Sequence, residues 1–64
     1  MYKFNVSFEE FSVGNIVKVK RGFLFNGEFG RVMAKDTNAR KLRVYLADVD
    51  TSIWCEAEAL EMLK

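Results

Sequence analysis

Apolar and polar residues alternate along much of the chain, and this period of two predicts short strands that bury one face. Val17 and Val19 alternate with lysines, and residues 41–46 form the most regular run. Shorter runs at residues 31–35 and 53–55 predict two further strands, because residues that favour turns separate them from their neighbours. The pattern indicates an all-β chain.

The two ends of the chain are less regular. Residues 2–6 alternate and predict a short strand, and Ser7 with Glu10 makes a capping-box pattern that predicts a single helical turn. Residues 56–64 fit either a short helix or one helical turn followed by a closing strand. Five short strands with one or two single-turn helices predict one domain, residues 1–64, folded as a small, partly open barrel.

Most of the chain resembles a known family. Residues 13–19, VGNIVKV, are similar to the V-G-D-x-V-x-V opening of small SH3-like barrels. Residues 22–32 resemble the glycine-containing hairpin of KOW modules, which occur in ribosomal and transcription-elongation proteins. Residues 54–63 are similar to the turn and last strand of such barrels, and a more distant resemblance is to the photosystem I subunit that docks ferredoxin. The resemblance implies a five-stranded SH3-like barrel that binds a partner.

Two positions depart from the family pattern. Asn15 stands where an acidic residue is usual. The loop at residues 21–27 lacks the usual proline and carries three apolar residues, Phe23-Leu24-Phe25. The second departure falls on the hairpin where the family commonly places its nucleic-acid contacts.

The net charge of +1 hides an uneven distribution. Residues 1–17 have a net charge of −1, residues 18–43 of +6 and residues 44–64 of −4. A dedicated nucleic-acid binder is usually basic overall, and this chain is basic only in its middle third.

The composition disfavours catalysis. The chain has no histidine and one cysteine, Cys55, so the usual proton shuttle, most metal sites and any internal disulfide are missing. We expect no enzyme, no cofactor and no metal. The unpaired thiol and the lack of a long apolar run predict a cytoplasmic protein without a membrane partner.

A basic outer face is the first candidate site. Lysines project from residues 16–20 opposite the valines, and Lys41, Arg43 and Tyr45 project from residues 41–46. If these strands are neighbours, the face combines phosphate contacts with an aromatic ring for base stacking. The leading hypothesis is a non-catalytic module that contacts RNA, DNA or a nucleoprotein machine. The predicted binding residues are Lys18, Lys20, Arg21, Phe23, Phe25, Lys41, Arg43 and Tyr45.

Two alternatives accompany that hypothesis. Any small β domain has polar residues on its outer face, and Asp48 or Asp50 could neutralise the basic patch. The loop Phe23–Phe25 either folds back over the barrel end or stays exposed as a docking tip. An exposed tip favours a monomeric protein-interaction adaptor or inhibitor, of the size seen in accessory subunits and phage-encoded host modifiers.

Overall fold

Six antiparallel strands form a single sheet in the computed structural model, which describes residues 1–64. The strands are β1 (Tyr2–Lys3), β2 (Ile16–Val19), β3 (Phe29–Asp36), β4 (Lys41–Leu46), β5 (Thr51–Glu56) and β6 (Leu60–Leu63). Three single-turn 3₁₀ helices connect them, η1 (Phe8–Glu10), η2 (Ala47–Val49) and η3 (Ala57–Ala59). No helix is long or apolar enough to span a membrane.

The all-β prediction is confirmed, and the spatial order of the strands is β1-β6-β2-β3-β4-β5. The sheet has six strands where the sequence predicts five, because residues 60–63 form a closing strand, β6, that pairs with both β1 and β2. It has three single turns, since the connections after β4 and β5 both close as 3₁₀ helices. The C-terminal segment takes the second of its two predicted forms, a turn and then a closing strand.

The inner face of the sheet holds the hydrophobic core. The domain measures 27 × 23 × 21 Å, so the sheet is strongly curved, because a flat layer of strands would be far thinner in one direction. The predicted alternation is confirmed in β2, where Val17 and Val19 are buried, and in β4, where Leu42, Val44 and Leu46 are buried. The most deeply buried side chains are Phe11, Val17, Val19, Val32, Leu42, Val44, Leu46 and Leu60.

Gly30 allows β3 and β4 to pack closely. A Cβ atom at this position would lie 2.6 Å from Val44 Cγ1 and 2.6 Å from the Tyr45 carbonyl oxygen. Both distances are shorter than carbon atoms tolerate, so a larger residue would push β4 away from β3. The glycine thus fixes the spacing of the strands that carry most of the outer face.

A β-bulge interrupts β3. Val32 pairs with Val44, but the next pair is Ala34 with Arg43, so Met33 is an extra residue on its strand. Beyond the bulge, Lys35 pairs with the buried Leu42 and its side chain lies on the inner side of the sheet. The extra residue therefore reverses which side chains of β3 point inward and which point outward beyond Val32.

The segment around η1 closes one end of the barrel. The Ser7 backbone N–H donates to Glu10 Oε2 at 2.9 Å, which confirms the predicted single turn after Ser7. Phe8 and Phe11 are buried in the core. The Lys35 ammonium donates to the Phe11 carbonyl oxygen at 2.7 Å and so ties this segment to β3.

Candidate nucleic-acid interface

The predicted basic face is divided, because β3 lies between β2 and β4. Lys18 on β2 and Arg43 on β4 lie on the outer face of the sheet, each opposite a residue of an adjacent strand. The assumption that their strands are neighbours is wrong, since the alternation within a strand carries no information about the order of strands. The outer face must therefore be described again from the observed register.

Lys20 does not belong to the outer face. Its backbone N–H donates to the Ala59 carbonyl at 2.8 Å, one residue after β2 ends, and the residue is only 8% exposed. Its ammonium lies 4.1 Å from the centroid of the Phe4 ring. Arg21 is exposed but begins the loop that follows, outside any strand. Both predicted residues are thus separated from the face by the end of β2.

Lys41 lies between two carboxylates. Its cross-strand partners are Asp36 on β3 and Glu56 on β5. Opposite charges beside each other on one face of a sheet attract and leave no positive excess. This end of β4 therefore contributes little to a phosphate-binding surface.

Six other outer-face residues form three cross-strand pairs, each of which places a cation opposite an aromatic residue. The first pair joins β2 to β3, the second joins β3 to β4, and the third joins β4 to β5. We call these six residues the cation–aromatic diagonal: Lys18–Phe29, Arg31–Tyr45 and Arg43–Trp54.

The three rings lie on successive strands and are diagonal neighbours. Tyr45 pairs with Arg31, which is two residues after Phe29 on β3. Trp54 pairs with Arg43, which is two residues before Tyr45 on β4. Such diagonal positions are about 7–8 Å apart in an antiparallel sheet. Phe29 is 48% exposed and Trp54 is 53% exposed, so both rings offer surface to a ligand.

Tyr45 is held in place more firmly than the other two rings. Its hydroxyl donates to Asp50 Oδ1 at 2.7 Å, and this hydrogen bond raises the pKa of the phenol above its usual value. Asp50 is one of the two carboxylates that the sequence analysis considered able to neutralise the basic patch, and it accepts this hydrogen bond from the tyrosine hydroxyl. Tyr45 is half-buried and forms part of the wall of a shallow groove.

This groove has a volume of about 460 Å³ and is open to solvent on the outer face. Phe29, Met33 and Tyr45 contribute most of its apolar lining. Arg31 lies among them, and one of its guanidinium nitrogens donates to the Gly14 carbonyl at 3.1 Å. The groove therefore combines flat apolar surface with a fixed positive charge.

The three cations of the diagonal have no acidic partner within ion-pair distance. The two ion pairs of the chain, Lys3–Glu10 and Arg40–Glu9, lie elsewhere. Lys18 Nζ lies 5.5 Å from the centroid of the Phe29 ring, and Glu61 is its cross-strand partner on β6. Arg31 and Arg43 have no acidic cross-strand partner, and Lys18 has one where Lys41 has two, so these charges remain available to an anionic ligand.

The predicted docking loop is divided between the interior and the surface. Phe25 has a left-handed backbone (φ 65°) and packs against the core, whereas Phe23 is 39% exposed and Leu24 is 81% exposed. Together with residues of β5 they line an apolar groove of about 370 Å³. Cys55 lies in this groove, and burial, aided by the Glu56 charge, raises the pKa of its thiol to about 11.

Three residues of the diagonal were missed by the sequence analysis. The sequence analysis placed Phe29 in the glycine-containing hairpin, Arg31 at the start of a strand and Trp54 in a short strand. It proposed none of them as a binding residue. Alternation marks Arg31 and Trp54 as outward, because Val32 and Ile53 beside them are apolar, but only the register shows which residues they lie opposite. No protein-family model, curated protein or solved structure matches this chain.

Proposed function

We propose that the chain is a non-catalytic binding module of SH3-like, KOW type that contacts nucleic acid through the cation–aromatic diagonal. The observation that supports this most is the pairing itself, because three cations each lie beside an aromatic ring on adjacent strands. Positive side chains attract the phosphate backbone, and exposed rings stack on bases. The resemblance of residues 13–63 to KOW modules is consistent with such a ligand.

The charge distribution supports the same proposal. Attraction to phosphate is screened by salt beyond a Debye length of about 8 Å. A nearly neutral chain can therefore still bind nucleic acid if its cations share one face. Lys18, Arg31 and Arg43 share the outer face and form no ion pair. Of the five acidic residues in the C-terminal third, Asp50 bonds the Tyr45 hydroxyl, and Glu56 and Glu61 lie at the two ends of the diagonal, so its positive charge is concentrated between them.

The test is a two-dimensional amide NMR titration with a mixed-sequence single-stranded RNA and a duplex DNA, at low and at physiological salt. We expect shifts confined to β2–β5 that weaken as salt increases. A double variant, Lys18→Gln with Arg43→Gln, should keep the native spectrum and bind at least tenfold more weakly. Unchanged affinity in the folded double variant, or no shift at low salt, would refute the proposal.

A second candidate function is protein docking through the apolar groove beside β5. The observation in its favour is the high exposure of Leu24 next to β5, an edge strand that pairs only with β4. Backbone hydrogen bonds outside the strands do not involve residues 51–56. An extended segment of a partner protein could therefore pair with the free edge of β5. Replacing Phe23 and Leu24 by Ser should abolish capture of such a partner and leave nucleic-acid binding unchanged.

A further inference from the structure

We infer that the cation–aromatic diagonal binds a short single strand with unpaired bases, and that it does not bind a duplex. This inference rests on the proposed function and specifies its ligand. It depends on three properties of the diagonal, namely its exposed rings, its position on the sheet and the charges at its two ends.

The exposed ring faces require unpaired bases. Phe29 and Trp54 are both about half exposed, and each lies directly opposite a cation in the register. The Phe29 ring packs against that of Tyr2, with 5.9 Å between the centroids, so Trp54 offers the freer surface on which a base can stack. In a duplex the faces of the bases are covered by neighbouring base pairs, and only their edges are accessible in the grooves. A single strand exposes the base faces, and any base can stack because each has a π-surface.

The position of the diagonal also disfavours a duplex. Duplex DNA is read by elements that enter its grooves, typically an α-helix or a two-stranded ribbon. The diagonal extends across β2–β5 in the body of the sheet, and the only helices here are single turns. A double helix would touch this surface with phosphates alone and leave the rings without a partner.

The diagonal fits only a few nucleotides. Two diagonal steps separate Phe29 from Trp54, a span of about 15 Å, and one base on each of the three rings corresponds to about three nucleotides. Glu61 lies beyond Lys18 at one end, and Glu56 follows Trp54 by two residues at the other. These carboxylates repel phosphates, so a longer strand gains little from extending over either end.

The number of cations fixes the expected salt dependence. Each neutralised phosphate of a single strand contributes about −0.7 to the slope of log K against log salt concentration. Lys18, Arg31 and Arg43 therefore predict a slope of about −2. A steeper slope would indicate that residues outside the diagonal also contact phosphates.

The single tryptophan of the chain makes stacking directly measurable. The protein is titrated with oligothymidylates of two, four and eight nucleotides, with an abasic tetramer of the same backbone, and with a short hairpin duplex. We expect the tetramer to quench Trp54 fluorescence at a stoichiometry of one. We expect the octamer to bind no more than about threefold more tightly per site, and the abasic strand and the duplex at least tenfold more weakly.

Variants separate stacking from charge. With a labelled oligonucleotide as the reporter, Trp54→Ala should weaken tetramer binding about tenfold and leave the weak abasic binding unchanged. Phe4→Ala is the matched control, since this exposed ring also lies beside a cation, Lys20, but is outside the diagonal.

The outcomes distinguish this inference from the proposed function. Equal binding of the abasic strand, or tighter binding of the duplex, would overturn the single-strand inference and leave nucleic-acid binding intact. No binding of any probe at low salt would overturn both. Loss of tetramer affinity in Trp54→Ala with normal affinity in Phe4→Ala would support the inference.

Discussion

The chain has cations in two regions, and they serve different purposes. Around η1, every cation contacts another group of the protein at short range, whereas on the open face of the cation–aromatic diagonal only Arg31 donates a side-chain hydrogen bond, to the Gly14 carbonyl. We call the first set the rim cations: Lys3, Lys20, Lys35 and Arg40.

The difference follows from the neighbours that each region provides. Lys3 and Arg40 each donate to a glutamate of η1 at 2.6 Å. Lys35 and Arg40 both lie over the ring of Phe8, at 4.5 and 4.9 Å from its centroid. The rim cations thus stabilise the N-terminal segment, and a count of basic residues overstates the charge available to a ligand.

The largest predicted effect concerns the core that the rim cations cover. Phe11→Ala removes a side chain that is 1% exposed and should lower the free energy of unfolding by about 3–5 kcal/mol. A domain of this size has total stability of about the same magnitude, so the variant should be largely unfolded at 25 °C. Urea denaturation measures this, with Leu24→Ala as the exposed control. A cooperative transition near that of the unmodified protein would contradict it.

The next effect separates a rim cation from an outer-face lysine. Lys35→Met keeps the apolar stem but removes the donor to the Phe11 carbonyl, and should cost about 1.5–3 kcal/mol. Lys41→Met, on the outer face, should change stability by less than about 0.5 kcal/mol. Thermal unfolding of the pair measures the difference. Equal losses in both variants would show that the Lys35 contact has no special role.

A third prediction compares one cation from each region for its effect on nucleic-acid binding. Arg40→Gln and Arg43→Gln remove the same charge from the two regions. Only Arg43→Gln should weaken nucleic-acid binding, by about threefold to tenfold, because Arg40 is already paired with Glu9. Fluorescence anisotropy of a labelled oligonucleotide measures both affinities. Equal weakening would mean that binding responds only to net charge.

The smallest effect is a pH dependence from the rim. Hydrogen bonds from Lys3 and Ser7 lower the pKa of Glu10 to about 2, from 4.5 in an unstructured chain. The ionised form is therefore favoured by folding, and its stabilisation is present above about pH 4.5 and is lost as the pH falls through about 2. Glu10→Gln should show a weaker loss of stability over this range. An NMR titration of the Glu10 carboxyl group with a midpoint near 4.5 would contradict the assignment.

The sequence predicts the inner face better than the outer one. Burying one face requires alternation, so Val17, Val19 and the apolar residues of β4 are identifiable without a structure. Which strands lie side by side depends on long-range pairing, and so the joint face of Lys18 and Lys41 was predicted incorrectly. Lys20 seemed to point outward because the end of β2 at Val19 leaves no local mark in the sequence.

The cation–aromatic diagonal could be predicted only in part. Lys18, Arg43 and Tyr45 were identified from alternation, since outward positions are evident within a single strand. Trp54 and Phe29 required knowledge of the register, because a ring becomes part of a site only through its cross-strand neighbour. The pairing of residues distant in the chain therefore determines most of this site.

The extra residue in β3 has a consequence for any redesign of the molecule. If β3 continued past Val32 without the bulge, Met33 would pair with Arg43, Ala34 with Leu42 and Lys35 with Lys41, which would place two like charges side by side on the outer face. The Phe11 carbonyl would lose its donor, and the ligand-binding face would gain a cation. The bulge thus shifts the register within the strand by one residue, and closing it would exchange stability for surface charge without any change in the sequence.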